Sequence, residues 1–444
     1  MRTLMSWKAS GLLVALVVAL GFPAGGTHAA TVWIQAEQFV KTMPDSTPVT
    51  MWGFRLMDTN WTPLAGQSAQ VPGPRLVVPP GEGLTVNLRN ALPDPPGGQA
   101  PPISFVIPGQ MASSGPVYFP PADPNYPDRV RSFAAEAVPG GGTVSYTWTN
   151  LKGGTYLYQS GTQPQVQVQM GLYGACTKDY AAGQAYSGVP YTAEVVLLYS
   201  EVDPALHAAV VGGNYGPGKP VTSTMEYEPK YFLVNGVGFP DPATTLPSIT
   251  MTDQVLMRFL NAGLETHVPL LQGIFMNLVA EDGNKSLAPA ALSAPYPRHA
   301  YSLFLPAGQT ADAVLLQPFQ PGPCNFPIYD RALHLTNAAA TGGGMYAFLP
   351  ISNPGSPPTR VGDTLKTTKG AGTIQIQWTD LPGTNFYTVY ENFSVGPGSP
   401  PFTTVAGRTM SGTPGLSLPM PAASLVFYLV AAGAPCGSGD GPQN

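Results

Sequence analysis

The sequence predicts an all-β protein built from several sandwich domains, and three observations carry that expectation. Glycine and proline number 51 each in 444 residues, far more turn-formers than a helical protein tolerates. Short runs alternate apolar and polar residues with a period of two and are bounded by Gly, Pro, Asn and Asp. The chain is 43% hydrophobic and only 10% charged, so it can bury sizeable cores. At ~100–200 residues per domain its length suits about three domains.

The first thirty residues have a secretory layout. Arg2 and Lys8 precede an apolar run from Gly11 to Phe22, followed by Gly25-Gly-Thr-His-Ala-Ala30. Cleavage is expected after Ala29 or Ala30, making residues 1–30 a signal peptide. The apolar run falls short of the ~20 residues of a membrane span, and no later stretch approaches that length. An exported mature chain without a transmembrane span is expected, periplasmic, at the cell surface or extracellular. It would carry 18 basic and 25 acidic residues, a net charge of −7. An acidic surface without a basic run argues against nucleic acid as a partner. Cys176, Cys324 and Cys436 allow one disulfide per chain; Cys176 with Cys324 is the favoured pair, with three unpaired residues as the alternative.

In chain order, Pro48 to Phe54 reads as a strand. Pro72-Gly-Pro-Arg-Leu-Val-Val-Pro-Pro-Gly-Glu-Gly83 and the residues to Leu92 give two more, hinged at Pro79-Pro-Gly81. Leu84, Val86 and Leu88 point one way, and Thr85, Asn87 and Arg89 the other. Gly140 to Thr149 alternates again. It leads into Gly153-Gly-Thr-Tyr-Leu-Tyr-Gln-Ser-Gly161 and then Gly171-Leu-Tyr-Gly174. Between these last two stretches Gln163, Gln165, Gln167 and Gln169 alternate with Val166 and Val168. That pattern predicts a strand with an amide face, suited to solvent or to a glycan or peptide.

Gly154-Thr-Tyr156 and Gly171-Leu-Tyr-Gly174 resemble the end of the first cupredoxin domain of multicopper oxidases. That family writes Gly-Thr-Tyr-Trp-Tyr-His-Ser-His there, then Gly-Leu-Tyr-Gly. The stretch around Arg75 and Asn90 is similar to its domain-opening strands. Tyr231-Phe-Leu-Val-Asn-Gly236, Arg258-Phe-Leu-Asn-Ala-Gly263, Ala280-Glu-Asp-Gly283 and Pro306-Ala-Gly-Gln-Thr-Ala-Asp312 match further family signatures, in the family's order. The resemblance implies two cupredoxin-like Greek-key sandwiches, residues 31–185 and 186–352. After a Pro-rich linker at 353–360, residues 361–444 resemble a fibronectin type III sandwich, with Trp378 and Tyr428 suited to its core.

The resemblance also implies a trinuclear copper cluster held by His-x-His pairs and a blue copper site within His-Cys-His. At the positions of two such pairs this chain has Val106 and Pro108, and Gln159 and Gly161. Four histidines remain after residue 30: His207, His267, His299 and His334. No two lie within three residues of each other, and no cysteine has a histidine neighbour. No catalytic residue, copper cluster or other cofactor is therefore expected. The expected role is a binding or structural module for an unknown protein or glycan. The alternative is a copper-dependent oxidoreductase acting on phenolic or metal-ion substrates. His267 is the metal candidate, with Glu265 two residues earlier on one strand face; a hydrogen-bonded core histidine competes with that reading. His207 and His334, the latter in a Leu-His-Leu strand pattern, read as packing residues. Tyr118 to Pro127 reads as a covering or recognition loop.

Overall fold

The computed structural model describes residues 29–119, 129–288, 291–295, 298–316, 324–340, 342–352, 361, 364–381, 384, 386–393, 404–410, 412–421 and 425–433. Among the described residues nearly all regular structure is strand. Residues 1–28 of the expected signal peptide, the 353–360 linker, most of the Tyr118–Pro127 loop and Cys436 lie outside them; Ala29 and Ala30, where cleavage is expected, open the first strand. No helix is long and apolar enough to cross a membrane among the described residues.

In the first sandwich, Pro48–Met57, Ala29–Thr42, Gly83–Asn90 and Thr143–Trp148 form one sheet in that order. Gly73–Val78, Tyr173–Lys178 and Gly154–Gln159 form the facing one. The alternation of Leu84, Val86 and Leu88 is realised: all three are buried, against half-buried Thr85, Asn87 and Arg89. The Pro79-Pro-Gly81 hinge, with Gly81 at φ +80°, moves the chain from one sheet to the other. Phe54, Phe105, Trp148 and Tyr158 fill the core between the sheets, the rings of Phe105 and Tyr158 stacked at 4.9 Å.

The second sandwich repeats the plan. Ala193–Val202 pairs in parallel with Val255–Asn261, as Ala29–Thr42 does with Gly83–Asn90. Tyr231–Val234, Thr310–Leu315, Met276–Glu281 and the short strands Asn284–Lys285 and Arg298–Ala300 complete the larger sheet, and Ile249–Thr250, Tyr346–Ser352, Cys324–Asp330 and Pro269–Leu271 form its partner. The Asn-Gly and Asp-Gly signatures are turns in which Asn235 and Gly236, and Asp282 and Gly283, all adopt positive φ. Met51, Leu157, Tyr173, Leu198, Leu233 and Leu260 belong to one buried cluster that draws on both sandwiches.

Toward the C-terminus two three-stranded antiparallel sheets face each other. One is Lys366–Lys369, Thr373–Gln377 and Gly415–Pro419; the other is Thr404–Met410, Phe386–Asn392 and Phe427–Gly433. Trp378 and Tyr387 pack edge to face at 5.1 Å in their core, with Tyr428 partly buried beside them.

Two expectations fail. Residues 163–169 are not a strand: Pro164–Gln167 is a short helix, begun by Gln163 at φ 41°. Helical winding turns Gln167 and Gln169 inward with Val166 and Val168, so no amide face exists. Gln167 instead donates from Nε2 to the Pro102 carbonyl at 2.9 Å, and its Oε1 accepts the Ser160 hydroxyl at 2.6 Å. Cys176 is a free, buried thiol, which excludes the Cys176–Cys324 disulfide. It sits on the central strand of the smaller sheet of the first sandwich, among Tyr158, Phe54 and Leu76 of its core.

Candidate functional site

Three of the four positions where the resemblance places copper ligands, Val106, Gln159 and Gly161, come together. Val106 and Gln159 exchange both backbone hydrogen bonds at 2.9 Å, which brings the Ile103–Gly109 segment against the end of the Gly154–Gln159 strand. A Cβ on Gly161 would stand 2.7 Å from Val106 Cγ1 and 3.0 Å from Ser104 Oγ, so the position admits no side chain without rearrangement. A hydroxyl cluster sits directly behind it. Ser104 Oγ accepts the Gly161 N–H at 3.1 Å, Ser132 Oγ lies 2.8 Å from Ser104 Oγ, and Thr162 Oγ1 lies 2.9 Å from Ser132 Oγ. These hydroxyls satisfy one another and the backbone. Pro108 is exposed and has no metal-binding atom. Valine, proline, glycine and a single amide cannot supply the nitrogen-rich set that copper requires.

The residues that carry the family resemblance meet at a different place, between the two sandwiches. Arg258 is fully buried and donates to Glu194 Oε2 at 2.9 Å, Asp179 Oδ1 at 2.8 Å and Thr155 Oγ1 at 3.0 Å. Arg75 donates from two nitrogens to Glu194, at 2.6 and 2.9 Å, and to Thr177. Thr155 donates to Asp312 at 2.6 Å, and Tyr186 donates to the other oxygen of that carboxylate. Burial pushes the Asp312 carboxyl up, with Arg258 opposing, and Glu194 is held below its usual value by both arginines against its own burial. Arg75, Thr155, Arg258 and Asp312 each belong to a motif read from the sequence. Here those motifs act as an interdomain clasp.

A second polar cluster lies inside the second sandwich, around His267. This ring is fully buried, with Nδ1 2.9 Å from Asp330 Oδ2 and Nε2 2.5 Å from Glu201 Oε1. His334 Nδ1 lies 2.5 Å from the same Asp330 oxygen, and its Nε2 3.2 Å from Glu265 Oε2. The other Asp330 oxygen accepts the backbone N–H groups of Val268, at 2.7 Å, and Ala332, at 3.0 Å, which fixes the carboxylate between the two rings. The ring of His334 stacks on Phe232 at 4.5 Å and meets His267 edge to face at 5.1 Å.

Electrostatics follow from this arrangement. Burial alone would lower the His267 pKa, but hydrogen bonds to Asp330 and Glu201 raise it to about 9. Burial would raise Asp330, yet its bonds from both imidazoles and two backbone N–H groups hold it well below the carboxylate range. The hydrogen bond to Asp330 raises His334. The cluster thus holds two imidazoles around one carboxylate, whose charge favours the protonated form of each ring.

Local sequence explains why these groups can meet. Asn261 Nδ2 ties down the Glu265 and Leu305 carbonyls at 2.7 and 2.9 Å, shaping the loop that presents Glu265 and His267. A Cβ on Gly263 would overlap the Glu201 carboxylate at 2.0 Å, so the Asn-Ala-Gly signature clears the space in which Glu201 reaches His267. Glu265 is not on a strand face with His267; it lies in the preceding loop and reaches His334 instead. His334 is not in a strand either, because the Cys324–Asp330 strand ends four residues earlier. His207 is a buried helix residue bonded to the Thr50 carbonyl at 2.9 Å, its pKa lowered by burial, and His299 is exposed on a short strand. Sequence reading missed Asp330, Glu201 and Tyr199. An Asp-x-x-x-His spacing at 330 and 334 was visible, but Glu201 lies 66 residues from its partner and left no local signal.

No family model matches the sequence, and no curated protein matches it in sequence. Among solved structures, the chain is similar to a blue copper oxidase from Nitrosomonas europaea, at TM-score 0.53 and 17% identity over 73% of this chain and 86% of that one. It is similar in the same way to the multicopper oxidase mgLAC, at TM-score 0.53 and 19% identity over 74% and 88% of the two chains. The fold is the cupredoxin-like fold of multicopper oxidases.

Proposed function

We propose that this protein is an exported, non-catalytic module built on the multicopper-oxidase fold, binding a protein or glycan ligand or serving a structural role at the cell surface or in the periplasm. One observation carries the proposal: the ligand positions are occupied by Val106, Pro108, Gln159 and Gly161, and a side chain at Gly161 collides with Val106 and Ser104. Conserving a fold does not conserve its chemistry, because activity lives in the site. The intact clasp of Arg75, Thr155, Arg258 and Asp312 agrees with a chain kept for its architecture. The two sheets after residue 361 suit a fibronectin type III-like spacer or adhesive unit.

The test is copper analysis of the purified protein with an assay for oxidation of phenols and metal ions. Absence of a multicopper complement and of turnover supports the proposal. Several copper ions per chain with oxygen consumption would establish the oxidoreductase alternative. Cell-surface or glycan binding that persists in chelator and is lost on deleting residues 355–444 would assign binding to the C-terminal sandwich.

A further inference from the structure

We propose that His267, Asp330 and His334 form a mononuclear site for a divalent first-row transition ion such as Zn²⁺, inside the second sandwich and separate from the altered copper positions of the first. The three ligand atoms, one from each side chain, all lie within 4.8 Å of one another. Two imidazoles and one carboxylate without a thiolate are a set that suits zinc and its neighbours and leaves a coordination position open.

The surroundings fit a metal site more specifically than a chance ion pair. Each histidine turns Nδ1 toward Asp330 and offers Nε2 to a separate carboxylate, Glu201 for His267 and Glu265 for His334. Metal-bound imidazoles are held this way, the far N–H bonded to a carboxylate that fixes the ring and strengthens it as a ligand. Asp330 is likewise oriented, since Val268 and Ala332 occupy one oxygen and leave the other to the rings. A further observation is Tyr199. Its hydroxyl is fully buried with no hydrogen-bond partner among the described residues, its ring lies 5.8 Å from that of His267, and the Asp330 charge acts on it. An orphaned hydroxyl beside the cluster has a use once a metal-bound water stands in the open position.

The geometry asks for a small adjustment. Metal–nitrogen bonds of about 2.0–2.1 Å in a tetrahedral site put neighbouring ligand atoms roughly 3.3 Å apart. Here Asp330 Oδ2 is 2.9 Å from one nitrogen and 2.5 Å from the other. The ion replaces the two Nδ1 protons, which leave to solvent, and the ligands move apart by several tenths of an ångström. His334 is 18% exposed and gives the ion its way in, whereas His267 is sealed.

The experiment uses the untagged full chain, stripped with chelator, then titrated with Zn²⁺ against a chromophoric chelator and with Co²⁺ read by visible absorption. One equivalent of Zn²⁺ and the intense visible bands of low-coordinate Co²⁺ are expected. His334→Ala, on the accessible side, should weaken binding at least 100-fold, and Glu265→Gln about 10-fold, within the range for removing an imidazole's supporting carboxylate. Circular dichroism and thermal melting confirm that each variant folds. Folded wild-type protein that binds no Zn²⁺ at tens of micromolar overturns the proposal and leaves a proton-bridged ion cluster. So does one-equivalent binding unchanged in His334→Ala, or lost in His299→Ala. Neither result bears on the altered copper positions, so the two proposals fail independently.

Discussion

If the space at Gly161 is closed, adding one carbon there must destabilise the first sandwich, and Gly161→Ala isolates that effect. Gly161 is not among the residues with positive φ, so alanine meets no backbone strain. Restricting the unfolded chain would by itself stabilise the variant by about 0.4–1 kcal/mol. Against this stands the contact. The new Cβ would lie 2.7 Å from Val106 Cγ1, about 1 Å inside the usual 3.5–4.0 Å separation, and 3.0 Å from Ser104 Oγ, which accepts the Gly161 N–H. Overpacking of this kind costs about 1–3 kcal/mol, leaving a net loss centred on about 1.3 kcal/mol within a span of roughly 0–2.6 kcal/mol. For a sandwich of this size the central value lowers the melting temperature by roughly 2–8 °C, readable by calorimetry or near-ultraviolet circular dichroism. Val106→Ala removes the nearer obstacle. The double variant should therefore recover at least about 0.5 kcal/mol relative to additivity, and incompletely, because Ser104 remains. A Gly161→Ala protein that melts higher than the parent would refute the closed position, and with it the observation on which the proposed function rests.

Three further outcomes are expected. Arg258→Met leaves the buried carboxylate of Asp312, with Asp179 and Glu194, without its main counter-charge, and should cost about 3–5 kcal/mol by thermal melting; a loss under 1 kcal/mol would mean that the clasp does not hold the sandwiches together. The Glu194 pKa is depressed by Arg75 and Arg258, so its contribution is fully present above the ordinary glutamate value of 4.5 and disappears as pH falls through the lower folded value; Glu194→Gln should flatten that acid limb of a stability–pH curve, and an unchanged limb would contradict the assignment. Burial pushes the Cys176 thiol up to about 12, so native protein should leave it unreactive toward a thiol reagent at pH 8 and expose it on unfolding; rapid native labelling of Cys176 would show that strand to be open.

Where a sequence pattern reported a local property, the structure agrees with it. Leu84, Val86 and Leu88 are buried because a strand alternates faces, and Asn235-Gly236 and Asp282-Gly283 are turns because those residues tolerate positive φ. Where a pattern had two local readings, the neighbours chose. Gln163 to Gln169 alternates like a strand, yet Pro164 suits the first turn of a helix, and the helix lets Gln167 satisfy Ser160 and the Pro102 carbonyl. Leu-His-Leu at 333–335 also alternates, yet His334 leaves the strand pattern to bond Asp330 and stack on Phe232.

By itself the sequence determined the all-β class, the repeated turn signatures and which residues, Val106, Pro108, Gln159 and Gly161, stand where the resemblance places copper ligands. These are properties of single residues and of a period of two. Only the tertiary structure decided what the motif residues touch and which histidines share a carboxylate. Arg75, Thr155, Arg258 and Asp312 come from strands far apart in the chain and acquire a shared role when two sandwiches bury them together. His267 and Glu265 are neighbours in sequence but serve different partners, while Glu201 and Asp330, each more than 60 residues away, close on His267. Charge paired inside a sandwich is set by which strands cross there, and a linear chain does not carry that distance.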